Sequence, residues 1–252
     1  MGVEFRDLTV SYDGSNVVLE GINWTVRKGD FWSVIGPNGA GKSTLFKALL
    51  KRTYIHGGDI LIDGNSILNM KMHEIAKRAG VLLQTEIYER SMKVKDYVML
   101  GRFPHLGFYS KPGKVDENIV FDALQKTGSL DLRNRLIGEL SSGEFQRVRI
   151  ARILAQESEY IFLDEPTAHL DYAHRFEVME LLKNIGKTVV CILHDFDLAY
   201  RYAGKIMVLH AGRKVEEGVT QIIFRDDLFQ NVFRVRITRT DTHINIDPLL
   251  EG

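Results

Sequence analysis

The eight residues GPNGAGKS at 36–43 fit the pattern G-x-x-x-x-G-K-[ST]. Glycines so spaced let successive backbone N–H groups converge on one anion, and a helix that starts there adds its first-turn N–H groups and the positive end of its dipole. Lys42 can then reach the outer phosphates of a nucleoside triphosphate, and the Ser43 hydroxyl can hold Mg2+. The plain alternative, a glycine turn that only caps a helix, leaves the Lys–Ser pair without a purpose. Tyr12 lies about two dozen residues upstream, on a strand or at its edge, where its ring could stack on a base. A surface or core tyrosine is the bland reading of the same position.

Further candidates sit where apolar strands stop. YIFLDEP at 160–166 ends in Asp164 and Glu165, and in open α/β sheets ligands collect beyond the carboxyl ends of strands. There Asp164 can bind Mg2+ through water, and Glu165 can polarise a water for in-line attack on a γ-phosphate. A solvated acidic turn is the competing reading. His194 closes TVVCILHD and Gln84 closes a strand near GVLLQ, so each can face a phosphate, the metal or the water. Ser141 and Glu144 of LSSGE have capping-box spacing at the head of an amphipathic helix, where Ser141 and Gly143 also offer a second anion-binding surface.

The elements needed to position these groups are visible in the periodicity. Alternation in VEFRDLTVSY and VVLEGINWTV, around the turn DGSN, predicts antiparallel strands, and FWSVIG predicts a third before the glycine loop. STLFKALLKR has helical spacing, GGDILIDG is a short strand, and HEIAKRAGVLLQ runs from helix to strand. Residues about 86–155 carry three- and four-residue periodicity and predict a helical lobe, after which strands and helices alternate again, so the lobe is inserted into one α/β core. The stretch 107–114 is the most linker-like.

Composition narrows the partners. The 252 residues carry 33 basic and 33 acidic side chains, which gives no general field for nucleic acid. Neither a signal-peptide pattern nor about 18 consecutive apolar residues occurs, so the expectation is a chain that neither leaves the cell nor spans a bilayer. Cys191, the single cysteine, lies in the apolar run VVCIL and reads as a buried structural thiol. Neither HExxH nor CxxC zinc-site spacing is present.

In order along the chain, GPNGAGKS, Gln84, LSSGE, YIFLDEP, AHLD at 168–171 and His194 resemble the nucleotide-binding subunits of ATP-binding cassette (ABC) transporters, over nearly the whole length. The resemblance implies an α/β fold: a RecA-like P-loop NTPase core with a mainly parallel sheet, an N-terminal antiparallel β subdomain and an inserted helical subdomain. One ATPase domain would cover 1–238, with a C-terminal tail at 239–252. It also implies roles. Tyr12 stacks on adenine, while Gly36, Pro37, Asn38, Gly39, Ala40, Gly41, Lys42, Ser43 and Thr44 cradle the phosphates of ATP. Ser43, Gln84 and Asp164 serve Mg2+, Glu165 is the base and His194 the switch histidine, and Gln84 couples the site to the helical lobe. Ser141, Ser142, Gly143 and Glu144 contact ATP held by a second copy of the chain, with Asp171 in the same interface.

The implied partners are that second copy, an integral-membrane permease and, indirectly, a substrate-binding protein, with the chain peripheral on the cytoplasmic face of the cell membrane. DYVMLGRFPHLG at 96–107 and GVTQIIFRDDLFQNVFRV at 218–235 are similar to ATPases of iron-siderophore, haem and cobalamin importers. Zinc and manganese importer ATPases are near neighbours, and a soluble ABC ATPase without a transporter, as in iron-sulfur assembly, is the alternative from another class. Two departures stand out: Ser142 replaces the first glycine of the common LSGGQ, and Phe145 stands where Arg is frequent.

Overall fold

Apolar residues alternate along the N-terminal strands, with one break in each at a register shift, and turn one face of an antiparallel sheet inward. In a computed structural model, which describes residues 1–107, 110–240 and 243–249, the chain forms two units. Unit 1 comprises 1–69 and 188–252, and unit 2 comprises 70–187. The linker-like stretch 107–114 and the tail 239–252 lie partly outside the described residues.

Unit 1 begins with β1 (Gly2–Ser11), β2 (Val17–Arg27), β3 (Phe31–Ile35), α1 (Lys42–Leu49), β4 (Tyr54–Ile62) and the short β5 (Asn65–Ser66). Unit 2 contributes α2 (Met72–Arg78), β6 (Ala79–Leu82), α3 (Val94–Met99), α4 (Lys114–Lys126), α5 (Ser142–Ala155), β7 (Tyr160–Asp164) and α6 (Tyr172–Asn184), with 3-10 turns between them. The chain then returns to unit 1 through β8 (Thr188–Ile192), α7 (Phe196–Tyr202), β9 (Lys205–His210), β10 (Arg213–Val219), α8 (Thr220–Ile223), α9 (Asp226–Phe233), β11 (Val235–Arg239) and β12 (Ile244–Pro248).

In unit 1 the antiparallel order is β2-β1-β4-β5, and a second ladder runs β10-β9-β3-β8. The first buries Val3, Phe5, Leu8 and Val10 of β1 against Ile22, Trp24 and Val26 of β2. In the second, β3 pairs in parallel with both β8 and β9, and the three strands read as almost unbroken apolar runs because both their faces are covered. Cys191 in β8 is fully buried, and burial pushes its thiol well above the ordinary cysteine range. The hairpin β11–β12 has no counterpart in the periodicity of the sequence. Its backbone is anchored by Ile237 N–H donating to Asp226 Oδ1 at 2.9 Å, rather than by an apolar run.

Unit 2 pairs β6 and β7 in parallel, with Leu82 opposite Leu163. Its helices α3, α4 and α5 share a core that includes Val94, Tyr97, Val120, Leu124 and Val148, at the spacing expected of amphipathic helices. Arg102, 5% exposed, ties the turn after α3 to the other two. It donates to Asp116 Oδ1 at 2.9 Å, to the Ala155 carbonyl at 2.7 Å and to Glu157 Oε2 at 2.7 Å.

Candidate functional site

In unit 1, the fully buried end of β3 delivers the chain into the glycine loop. Gly39 and Gly41 take φ of 78° and 96°, conformations that glycine reaches without a Cβ penalty. Gly41 caps α1 without bringing a side chain to the helix's first turn. Gly36 is required for a different reason: a Cβ there would lie 2.0 Å from the Leu209 carbonyl oxygen in β9. Lys42, 6% exposed, folds back over the loop and donates to the carbonyls of Gly36 at 2.8 Å and Pro37 at 3.0 Å.

The Tyr12 hydroxyl meets Thr44 Oγ1 at 2.9 Å and accepts from Lys47 Nζ at 3.2 Å, so the stacking candidate and the loop are tied together. Tyr12 as a whole is 45% exposed. Register places His194 as well. Val34 of β3 pairs with Ile192 of β8, so Gly36 and His194 each lie two residues beyond one paired position, at the same edge of the ladder. Asp195 behind it caps α7 by accepting from the N–H groups of Asp197 and Leu198 at 3.0 and 3.1 Å.

In unit 2 the same rule operates. Leu82 and Leu163 are paired, and two residues beyond them Gln84 Nε2 donates to Glu165 Oε2 at 2.8 Å. Asp164, the last residue of β7, is 3% exposed. Glu165 takes φ of 52°, a conformation costly for a non-glycine residue and typical of functional positions. A cleft of about 270 Å³ is lined by Gln84, Glu165, Tyr88, Ser142, Phe145 and His169 among others, so Gln84, LSSGE, YIFLDEP and AHLD, singled out in the sequence, meet there.

The capping box is present. Ser141 Oγ accepts from Glu144 N–H at 3.3 Å and Ser141 N–H donates to Glu144 Oε2 at 2.8 Å, at the head of α5. That backbone donor, with the Ser141 hydroxyl, holds the Glu144 carboxyl below its ordinary range. Gly143 is buried within the first turn of α5. Asp171 caps α6, accepting from His174 N–H at 3.0 Å and meeting His174 Nδ1 at 2.7 Å, and its carboxyl is likewise lowered, first by that backbone N–H.

Both departures have a structural place. Ser142 Oγ donates to the His169 carbonyl at 3.2 Å, linking LSSGE to AHLD through a bond that glycine could not make. Phe145 packs on Tyr88 at 4.4 Å and Tyr97 at 5.8 Å between ring centroids. Sequence reasoning missed Gln146, Arg149 and Glu86. Gln146 donates to the Pro166 carbonyl at 2.7 Å, and Arg149 donates to Gln146 Oε1 at 2.9 Å and to the Leu83 carbonyl at 2.5 Å. For Gln146 and Arg149 the signal was a polar residue at an inward position of α5, and Glu86, outside any helix or strand, gave none.

The ABC transporter family model matches residues 19–168. The Iron(3+)-hydroxamate import ATP-binding protein FhuC of Bacillus subtilis (strain 168) is 35% identical over 247 residues, 96% of this chain and 90% of its own. An inward-facing metal-chelate type ABC transporter structure superposes with a TM-score of 0.82 at 26% identity, covering 98% of this chain and 96% of that one. The dimeric structure of the bacterial ABC transporter cassette MJ0796 gives a TM-score of 0.75 at 27% identity, covering 86% and 98%. From its phosphate loop, its strand-end acids and these relatives alike, the chain belongs to the ABC transporter family and is one of its ATPase subunits.

Proposed function

We propose that this chain hydrolyses ATP to drive import of a metal chelate, of the iron-siderophore, haem or cobalamin type, through a separate membrane permease. The observation that carries the reading is the phosphate loop, with Lys42 folded back onto the Gly36 and Pro37 carbonyls and Gly36 packed too close to β9 for a Cβ. The metal-chelate transporter and the Iron(3+)-hydroxamate relative support the cargo class. Among the described residues no helix is long and apolar enough to cross a membrane.

In this reading the loop from Gly36 to Thr44 binds the phosphates, Lys42 neutralises the outer two, and Tyr12 stacks on adenine. Glu165 orients and deprotonates the attacking water, and His194 contacts the γ-phosphate. Ser43, Gln84 and Asp164 would hold Mg2+. Hydroxyl, amide and carboxylate oxygens are the hard donors that this ion prefers, and Asp164 stands at the end of β7, 3% exposed. When bound, the ion neutralises charge on the phosphates. Glu165 must release the Gln84 amide before both groups take up these roles, because Gln84 now presents its nitrogen to the carboxylate.

Two copies would close over two ATP molecules, with Ser141, Gly143 and Asp171 of each facing the nucleotide held by the other; the dimeric cassette supports this arrangement. Closure follows from differential affinity, since γ-phosphate contacts to both copies exist only in the closed state. The chain would then work on the cytoplasmic face of the membrane, with a substrate-binding protein delivering cargo from the other side.

The test is ATP binding and turnover by Lys42→Ala and Glu165→Gln proteins. Lys42→Ala should lose nucleotide binding. Glu165→Gln should bind ATP but lose about 10²- to 10⁴-fold in turnover, the usual worth of a general base. Full turnover by Glu165→Gln would remove the base assignment.

A further inference from the structure

The Gln84–Glu165 pair is bracketed by a buried guanidinium. Arg149 on α5 is 8% exposed, and burial of so strong a charge demands fixed partners. Its Nη2 donates to the Leu83 carbonyl at 2.5 Å and approaches the Gln84 carbonyl at 3.5 Å. Nη1 donates to Gln146 Oε1 at 2.9 Å, and Gln146 Nε2 in turn donates to the carbonyl of Pro166, the residue after Glu165, at 2.7 Å. The charge is balanced by Glu86, whose Oε2 lies 3.5 Å from Arg149 Nε and whose Oε1 pairs with Arg152 at 2.6 Å. The Arg149 guanidinium carbon also sits 5.9 Å from the centre of the Phe145 ring.

These contacts close a ring. Gln84 and Glu165 are joined by their side chains at 2.8 Å, and their backbones are joined again, on the far side, through Arg149 and Gln146. We propose that Arg149 is a positioning residue for hydrolysis: its planar fork locks the segment after β6 and the segment after β7 to the helix that begins with LSSGE, and so sets where the Gln84 amide stands against Glu165. The inference rests on the roles given above to Gln84 and Glu165. It assigns Arg149 no contact with nucleotide. Displacement of α5 is thereby transmitted to both strand ends at once, because one rigid group holds both.

A planar fork can hold a carbonyl and an amide together, and an ammonium cannot reproduce that geometry. The test is steady-state ATPase of the full chain carrying Arg149→Met, Arg149→Lys, Gln84→Ala and the double change Arg149→Met with Gln84→Ala. Misplacement of a catalytic group by an ångström lowers rates about 10²-fold, so Arg149→Met should lower kcat by about ten- to a hundredfold while KM for ATP stays near wild type. Arg149→Lys keeps a cation beside Glu86, so it should melt close to wild type and still show the kcat loss. The losses in the double change should fall short of the product of the two single losses, since part of what Arg149 does passes through Gln84.

Wild-type kcat in both Arg149 variants, with a slow Gln84→Ala, would overturn the positioning role and leave the proposed site intact. Multiplied losses in the double change would overturn it too. Wild-type kcat in Gln84→Ala would instead remove the site reading itself.

Discussion

Replacing Gly36 by alanine puts one carbon where a strand already stands. The ideal Cβ lies 2.0 Å from the Leu209 oxygen, 3.1 Å from the Leu209 carbonyl carbon and 3.4 Å from Ala40 Cβ. Carbon and oxygen settle at about 3.3 Å or more, so β3 and β9 must part by roughly 1 Å just beyond their last paired residues, Ile35 and Val208. Two backbones have no flexible end to give way, which puts the change near the top of the overpacking range, about 2–3 kcal/mol. For a chain of this size that is a fall of roughly 5–10 °C in Tm.

Gly39→Ala is the control within the same loop. Nothing lies within 4 Å of its Cβ, and only the φ of 78° opposes it. Left-handed strain of about 1–2 kcal/mol then lowers Tm by roughly 2–8 °C. The variants separate on adding Mg·ATP. Ligand that binds only the native state raises Tm by mass action. A loop displaced by an ångström should forfeit that rise in Gly36→Ala, while Gly39→Ala should keep part of it. Thermal melts with and without Mg·ATP decide the matter. A Gly36→Ala protein that melts like wild type and keeps its ATP-induced shift would refute the steric reasoning.

Two further outcomes are expected. Glu144 is held below the ordinary glutamate value of 4.5, chiefly by the Ser141 backbone N–H. A depressed acid contributes stability above its unfolded value and loses it as pH falls through the folded one. The Tm gap between wild type and Glu144→Gln should therefore be constant above pH 4.5 and narrow below it; a gap independent of pH in acid melts would contradict the cap's charge-assisted bond. Tyr12→Phe retains the ring but loses the hydroxyl that meets Thr44 and Lys47. KM for ATP should rise by roughly three- to tenfold, as expected for one modest hydrogen bond, with kcat unchanged. An unchanged KM would confine the hydroxyl to a structural part.

What the sequence disclosed was local. GPNGAGKS, the Ser141–Glu144 cap and the acids ending YIFLDEP are each encoded within a dozen residues, and the strand, turn and helix about each followed from alternation, glycines and helical spacing. The opposing positions of Gly36 and His194, or Gln84 and Glu165, needed the strand register as well. Arg149 gave no warning because its partner carbonyl at Leu83 is 66 residues away and carries no residue identity at all. The β11–β12 hairpin escaped for a related reason: its strands are largely exposed, and the Ile237 N–H is held by the Asp226 carboxylate, eleven residues away in the sequence.

The lysine folded over its own loop has a further effect, on which anions can enter. Its ammonium already holds two main-chain oxygens, so an incoming anion is weighed against them rather than against water. Chloride brings a single acceptor and gains little by the exchange. A polyphosphate engages the turned-in amides at the same moment and tips the balance. The threshold set by those two oxygens thus favours anions with several acceptor oxygens, before any base is read.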